Sequence, residues 1–303
     1  MSVWPRRQWW RGKRRAITWL ALVAVLAAGL LVAIDLVFVH TTRGQWVDDA
    51  SLKGTTIGRA RIIDPVSQIL NVISVTALGI ATIAVGVVGF LRRRPILALL
   101  AMIVVAGSVL STELIKYQVF TRPLLDTHGD RLPFNTLPSG HTTVALSVAV
   151  AVTLVSPARL RLLVGTIGVV YGAATGVATM SAGWHRPSDA VAACVVVGTW
   201  VALVGVVAAV LGPDVVRPDD PNDSPYTVVV VLFSGLAVLL LLVGTTALLV
   251  TAFGVPQPST RPRLFLAYAG GASSVAGAAF AVMAGLLVVT RRLATDQLDG
   301  GTD

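Results

Sequence analysis

Seven apolar runs of membrane-spanning length and a shorter eighth, 141–156, which we expect to extend by a turn at one end, occupy most of the 303-residue sequence. An α-helix needs about 20 such residues to cross about 30 Å of hydrocarbon. Charged residues make up 13% of the chain, against about 25% in an average soluble protein. The sequence therefore predicts an all-α fold, a polytopic bundle of transmembrane helices. The predicted spans are 16–39, 68–91, 95–115, 141–156, 163–182, 188–211, 227–253 and 264–290.

The spans divide the chain into a larger block and a terminal pair. A basic N-terminus (1–15) precedes a six-helix core (16–212). An acidic, proline-rich cytoplasmic linker (213–226) leads to a two-helix extension (227–290) and a tail (291–303). The last span carries small residues at helical spacings, which allow close contact between helices: Gly270, Ser273, Ser274 and Gly277. We expect the terminal pair to have a structural role.

The charge distribution predicts the orientation in the membrane. The net charge is +9, and the basic residues lie mainly beside the apolar runs, which is typical of topogenic charge rather than of nucleic-acid binding. With the N-terminus in the cytoplasm, 14 of the 24 Lys and Arg residues fall in cytoplasmic segments. This orientation places both termini inside and the loops 40–67, 116–140, 183–187 and 254–263 outside. A single cysteine, Cys194, excludes an intrachain disulfide.

Two histidines lie beside predicted helix starts on the same side of the membrane. His141 follows Pro138-Ser139-Gly140 at the start of the fourth span, and His185 precedes the sixth. They are 44 positions apart, which is enough chain to cross the membrane and return. Helix N-termini attract anions, and Lys116 and Arg122 add positive charge at the outer end of the third span. We therefore expect a phosphate-binding site at this surface.

The spacing of these residues also indicates a nucleophile. His185 and Asp189 are four residues apart, about one helical turn, so the carboxylate can hold one ring nitrogen and leave the other free to attack. His141 is the candidate acid for the departing oxygen. Ser139 and backbone N–H groups near Gly140 are candidates for binding the equatorial phosphate oxygens, over which charge spreads in phosphoryl transfer.

The motifs around these residues resemble the signatures of the type 2 phosphatidic acid phosphatases, or lipid phosphate phosphatases. That family carries Lys, six residues and Arg-Pro; then Pro-Ser-Gly-His; then Ser-Arg, five residues, His, three residues and Asp. Pro138–His141 matches the second signature in full, and His185 with Asp189 matches the end of the third. The resemblance covers roughly residues 16–212. It implies a phosphohistidine on His185, oriented by Asp189, with His141 as the acid and with no metal or other cofactor.

Two departures from the family concern the cations that bind phosphate. Lys116 is followed by five residues, not six, before Arg122, and the composition there predicts that the helix has already ended. The Ser-Arg pair would fall at 178–179, where this chain has Ala and Thr, so the family's phosphate-binding arginine is absent. Arg186, beside the nucleophile, is the candidate substitute, and Arg131 is a weaker one.

Three further polar residues lie near the predicted site. Glu113 precedes Lys116 by three residues and is either its ion-pair partner or a part of the catalytic site, since carboxylates in membrane helices are functional candidates. His128 and Asp130 belong to a hydrophilic loop, and we expect them to be solvated.

Together these features predict an integral membrane phosphatase that hydrolyses a lipid-linked phosphate or pyrophosphate on the extracytoplasmic face. The composition, rich in Ala, Val, Gly and Arg with few Lys, suits a GC-rich bacterial genome, so the expected location is the bacterial plasma membrane. The expected partners are a membrane lipid phosphate, such as a polyprenyl or phosphatidyl phosphate, and the bilayer, with no nucleic acid; the sequence leaves the oligomeric state open. The alternative is a non-catalytic protein that binds or transports lipid phosphates. Phosphoryl transfer to an acceptor other than water would use the same residues.

Overall fold

A computed structural model describes most of the chain, and the structural statements below concern the residues that it describes. These are residues 5–57, 63–64, 66–68, 70, 75–125, 134–212, 215, 224–254 and 260–295. They form helices joined by turns, with no β-strand among them. This architecture confirms the predicted all-α bundle.

The described helices are numbered in chain order. They are α1 (Pro5–Ile34), α2 (Thr42–Gly54), α3 (Val75–Leu91), α4 (Pro95–Leu114), α5 (Gly140–Val155), α6 (Ala158–Ser181), α7 (Pro187–Leu211), α8 (Ser224–Phe253) and α9 (Arg261–Thr295). Two of them continue through a π-helical turn, α1 through Asp35–Val39 and α4 through Ile115–Val119.

Six of the described helices are long and apolar enough to cross a membrane. The remaining apolar helices are α3, with 17 residues, and α5, with 16. These eight helices correspond in order to the eight predicted spans. The protein is therefore a multi-pass membrane protein.

The segment 40–67, predicted as an outer loop, contains the helix α2. Thr41 caps this helix, because its hydroxyl accepts a hydrogen bond from Gly44 N at 2.9 Å. Most of α2 is buried, packed against α9, α8 and α7. The sequence did not indicate this helix, because its polar side chains find partners inside the protein and leave no apolar run in the sequence.

The terminal pair packs closely, as its small residues predicted. A Cβ atom on Gly277 would lie 2.9 Å from Leu241 of α8, and one on Gly270 would lie 2.8 Å from Ala247 Cβ. Helix α9 also packs against α7, α6 and α2. A Cβ atom on Gly271 would lie 2.5 Å from Pro187, at the first residue of α7. The terminal pair thus contacts the larger block directly.

The starts of α5 and α7 meet at one end of the bundle. Ser139 N, just before α5, donates a hydrogen bond to Asp189 O in the first turn of α7 at 2.9 Å. At the opposite end, Lys13 Nζ of α1 donates to Val210 O near the end of α7 at 2.7 Å. The predicted site residues belong to the first of these two ends.

Candidate active site

The first turn of α7 is built around Asp189. Arg186 is the N-cap residue, Pro187 follows at the first helical position, and Asp189 lies at the third. Proline at the first position loses no helical hydrogen bond, because that N–H has no partner within the helix. The Asp189 carboxylate accepts a hydrogen bond from Arg186 N at 2.9 Å, which satisfies one of the unpaired donors of a helix start. This cap fixes the carboxylate on the side of the helix that faces His185.

His185 and Asp189 form the pair that their spacing predicted. Asp189 Oδ2 lies 3.2 Å from His185 Nδ1 and also accepts a hydrogen bond from Thr136 Oγ1 at 2.6 Å. The carboxylate is almost fully buried, with 1% of Asp189 exposed. A carboxylate only accepts hydrogen bonds, so Nδ1 carries the ring proton and Nε2 has the free lone pair. This arrangement orients the imidazole, and the role of His185 as the nucleophile stays a prediction.

His141 lies opposite this pair. The ring centroids of His141 and His185 are 6.5 Å apart, with an interplanar angle of 62°. The ring of Trp184 lies 5.4 Å from that of His141 on another side. Both imidazoles can therefore contact the same small anion.

The start of α5 carries the Pro-Ser-Gly-His motif. Ser139 is the N-cap residue and is fully buried; its hydroxyl accepts hydrogen bonds from Thr142 N at 3.4 Å and Thr142 Oγ1 at 3.0 Å. The hydroxyl of Ser139 thus serves the helix cap, and its contact with a substrate phosphate stays a prediction. Helix N-termini leave N–H groups unpaired and carry a positive dipole end, so this turn is suited to an anion.

Lys116 brings a full positive charge to the start of α5. A Cβ atom on Gly140 would lie 3.7 Å from Lys116 Nζ and 3.6 Å from Glu113 Oε1. The π-helical turn that carries Lys116 is held by Asn135, whose side-chain amide donates to Lys116 O and Phe120 O, each at 3.1 Å. Both charged groups therefore border the helix start. In the described part of the chain, no ion pair joins Glu113 to Lys116.

Arg122 follows the end of the helical segment. The π-helical turn ends at Val119, and Phe120 has an extended backbone with φ −94° and ψ 136°. The helix has therefore ended before Arg122, as the composition predicted, and helical geometry does not fix the direction of this side chain relative to Lys116. Arg122 lies close enough to Asp48 of α2 for its charge to favour the ionised form of that carboxyl.

Arg186 lies in the interior of the protein and not at its surface. Its side chain is fully buried. Its Nε donates to Asp49 Oδ1 of α2 at 3.2 Å, and its Nη1 to Thr136 Oγ1 at 3.5 Å. The predicted contact between Arg186 and a substrate phosphate stays a prediction.

Sequence reasoning missed the two acidic residues of α2. Asp48 Oδ2 accepts a hydrogen bond from Ser188 Oγ, and Asp48 Oδ1 accepts one from Ser188 N at 3.4 Å. Burial, assisted by the nearby charge of Asp189, raises the pKa of Asp48 to about 7. The only signal in the sequence was a pair of adjacent carboxylates in a segment without other motifs. Such pairs are common on exposed surfaces and do not indicate burial.

Thr179 stands where the family has its phosphate-binding arginine. Its hydroxyl donates to Gly176 O at 2.8 Å, and its carbonyl accepts hydrogen bonds from Trp184 N at 3.0 Å and His185 N at 3.3 Å. Thr179 therefore supports the backbone of the histidine turn and brings no charge. The candidates Arg131, His128 and Asp130 lie outside the described residues.

Across the described ranges, no group of three or more His, Cys, Asp or Glu side chains is arranged to hold a metal ion. The fold and the site define a multi-pass membrane protein with an oriented histidine beside a cationic helix start. Residues 70–211 match the family model of the PAP2 superfamily. This match supports the assignment of that part of the chain to the type 2 phosphatidic acid phosphatase family that its motifs resemble, and it supports a phosphatase-type activity. Neither a curated protein nor a solved structure matches the chain significantly.

Proposed function

We propose that this protein is an integral membrane phosphatase that hydrolyses a lipid-linked phosphate or pyrophosphate through a phosphohistidine intermediate. The observation that carries the proposal is the buried His185–Asp189 pair, joined at 3.2 Å, with the ring of His141 6.5 Å away. The match of residues 70–211 to the PAP2 superfamily supports the phosphatase chemistry.

The reaction proceeds in two displacements. His185 Nε2 attacks phosphorus, the bond to the lipid oxygen breaks, and His141 gives a proton to that oxygen. Water then attacks the phosphohistidine, His141 takes its proton, and the N–P bond breaks to release inorganic phosphate. Asp189 keeps the Nδ1 proton in place and stabilises the positive charge that the ring of His185 gains in the first step.

The phosphate is held by the start of α5 and by cations. Charge in phosphoryl transfer spreads over three equatorial oxygens, and the backbone N–H groups after Ser139 supply donors for them. The ammonium of Lys116, beside Gly140, compensates part of the negative charge. Arg122 is the second cation in this assignment. Glu113 lies beside the same helix start.

The substrate is a lipid because the site lies at the end of a membrane bundle. The predicted orientation, with 14 of 24 basic residues on the opposite side, places this end outside the cytoplasm and both termini inside. A polyprenyl phosphate or pyrophosphate and a phosphatidyl phosphate all present such a group at the membrane surface.

A second candidate function is the binding or transport of lipid phosphates without turnover. Thr179 favours this alternative, because it leaves the site without the arginine that the family uses. Transfer of the phosphoryl group to an acceptor other than water is a third outcome, distinguished by the absence of free phosphate among the products.

The test is phosphate release by the detergent-purified protein from a panel of lipid phosphates. The panel contains phosphatidic acid, phosphatidylglycerol phosphate and polyprenyl mono- and pyrophosphates, with chelator present. His185→Ala is expected to release no phosphate. The matched control is His40→Ala, which removes a histidine that pairs with Asp35 at 3.3 Å elsewhere on the same side. Release that is unchanged in His185→Ala contradicts the mechanism, and binding without release from any lipid favours the second candidate.

The membrane orientation has a separate test. A cysteine at position 130, in a protein whose Cys194 is replaced by Ser, should react with an impermeant reagent in intact cells. A cysteine at position 159, on the opposite side, should react only after lysis. The reverse pattern contradicts the proposed orientation.

A further inference from the structure

Helix α2 lies outside the segment that matches the PAP2 superfamily, yet it supplies two buried carboxylates to the start of α7. Asp49 Oδ1 pairs with Arg186 Nε at 3.2 Å. Asp48 accepts both hydrogen bonds from Ser188. Arg186 follows His185 directly in the sequence, and Ser188 comes three positions after it. Helix α2 therefore fixes the turn that carries the proposed nucleophile.

A continuous chain of polar contacts connects Asp49 to His185. Arg186 Nη1 donates to Thr136 Oγ1 at 3.5 Å. Thr136 Oγ1 donates to Asp189 Oδ2 at 2.6 Å, and the same oxygen lies 3.2 Å from His185 Nδ1. The contacts join α2, the segment before α5, and the first turn of α7.

The chemistry of the donors fixes the direction of every proton in this chain. A guanidinium only donates, and a hydroxyl has one proton and two lone pairs. Because Arg186 donates to Thr136, the single proton of Thr136 points towards Asp189. Asp189 can only accept, so the Nδ1 proton of His185 points towards it, and Nε2 is left to attack.

Asp49 is the counter-ion of Arg186, the positively charged member of this series of polar contacts. A buried guanidinium without its counter-ion is strongly unfavourable, and the next carboxylate along these contacts is Asp189. If Asp49 is neutralised, Arg186 is drawn to Asp189 and competes with His185 for the same oxygen. The orientation of the imidazole is then lost although the residues around the phosphate are unchanged.

We infer that Asp49 is a positioning residue for His185, acting through Arg186 and Thr136, and that Arg186 serves this chain rather than the substrate phosphate. The inference rests on the proposed function, in which His185 must keep Nε2 free to attack phosphorus. It also departs from the assignment of Arg186 as a substitute for the missing family arginine, because a fully buried guanidinium has no surface to offer a substrate.

The terminal helices take part in this arrangement through α2. Ser51 Oγ donates to Ala267 O of α9 at 2.9 Å, and Gly54 lies against the carbonyl of Leu264, where a Cβ atom would have no room. Helix α9 therefore supports the helix that supplies Asp49, which extends the structural role of the terminal pair to the active-site end of the bundle.

The experiment compares Asp49→Asn, Arg186→Gln and the double variant with the wild-type protein. The measured quantities are kcat, KM and the inhibition constant of inorganic phosphate, with the best lipid phosphate of the panel. Each single variant should lower kcat roughly 100-fold, the usual effect of a misplaced catalytic group, with KM and the phosphate inhibition constant within about twofold of wild type. The double variant should be no slower than the slower single variant, because the two residues act as one unit.

The matched control is Asp64→Asn, the same change at an exposed aspartate that follows α2 in the chain, which should leave kcat unchanged. If Arg186→Gln instead raises KM and the phosphate inhibition constant tenfold or more while Asp49→Asn keeps its kcat, Arg186 is a phosphate ligand and the inference is wrong. Losses that multiply in the double variant also overturn it.

A further variant and an NMR measurement test the inference even if the charge variants do not fold or the protein shows no turnover. Thr136→Val breaks the same chain without removing a charge. The chain has four histidines, so ¹⁵N-histidine labelling gives few NMR signals. Both Asp49→Asn and Thr136→Val should shift the Nδ1 and Nε2 resonances of His185 and leave those of His40 in place. Unshifted His185 resonances in Thr136→Val overturn the inference. If both variants show these shifts but the wild-type protein releases no phosphate, only the proposed function is contradicted.

Discussion

Replacement of Asp189 by Asn removes a charge and almost no volume. In the structure a single oxygen, Oδ2, accepts hydrogen bonds from His185, Thr136 and the Arg186 backbone. An asparagine that places its carbonyl oxygen there keeps all three as neutral bonds and keeps the helix cap. The variant should therefore fold, and its His185 should retain the proton on Nδ1.

The loss of activity follows from the charge on the histidine ring. A full positive charge on His185, 3.2 Å from the carboxylate, gains about 5 kcal/mol at an effective dielectric constant of about 20. A loose phosphoryl-transfer transition state in which the ring has gained about half of that charge gains about 2.5 kcal/mol. At 1.36 kcal/mol for each factor of ten, Asp189→Asn should lower kcat about 70-fold.

The assay is steady-state phosphate release at saturating lipid phosphate, which measures kcat, with melting in detergent as the folding check. Asp35→Asn is the control, because Asp35 pairs with His40 at 3.3 Å outside the proposed chemistry, and it should keep its turnover. A fall of less than fivefold refutes the assigned role of Asp189. A fall of about 10⁴-fold indicates that the amide group faces His185 and forces the other tautomer, which refutes the hydrogen-bond pattern used here.

Further expectations concern phosphate binding, pH dependence and helix packing. Lys116→Gln should raise the inhibition constant of inorganic phosphate about 10- to 150-fold, since a charged hydrogen bond contributes about 1.5–3 kcal/mol; an unchanged constant would remove Lys116 from the site. Burial raises the pKa of Asp48 to about 7, so the folded protein favours the protonated carboxyl, and this stabilisation is complete below the ordinary pKa and is lost as the pH rises towards 7. Asp48→Asn should therefore gain thermal stability relative to wild type as the pH rises from about 4 to about 7, by at most about 1.4 kcal/mol per pH unit, and the difference should level off above that; a constant or falling difference in melting temperature over this range contradicts the burial argument. Gly277→Ala should lower the melting temperature, because its Cβ meets Leu241 at 2.9 Å and overpacking costs about 1–3 kcal/mol, whereas Gly235→Ala, which has open space around its Cβ, should not.

The spans and the histidine pair could be predicted because their signals are local. Apolar length alone identifies a transmembrane helix, and a spacing of four residues is enough to bring His185 and Asp189 together on one helix. Even the close packing of α9 on α8 is visible in the spacing of its small residues.

The polar contacts of α2 could not be predicted in this way. Asp49 and Arg186 are 137 positions apart, and nothing in the local pattern of either residue indicates the other. Next to a histidine nucleophile, an arginine is expected to face the phosphate, whereas the structure turns its side chain into the protein. Only the tertiary arrangement decides between these directions, because both are compatible with the same position on α7.

The 16-residue length of α5 has a consequence for the depth of the proposed chemistry. At 1.5 Å per residue the helix is about 24 Å long, about 6 Å less than the hydrocarbon thickness of an average bilayer. With its far end at the membrane boundary, Gly140 and His141 lie below the opposite boundary rather than above it. A lipid phosphate then reaches the histidines by moving slightly deeper into the membrane, with its tails still in the leaflet. The mismatch between helix length and bilayer thickness should therefore affect turnover. In thicker bilayers the phosphate has further to move, and turnover should fall.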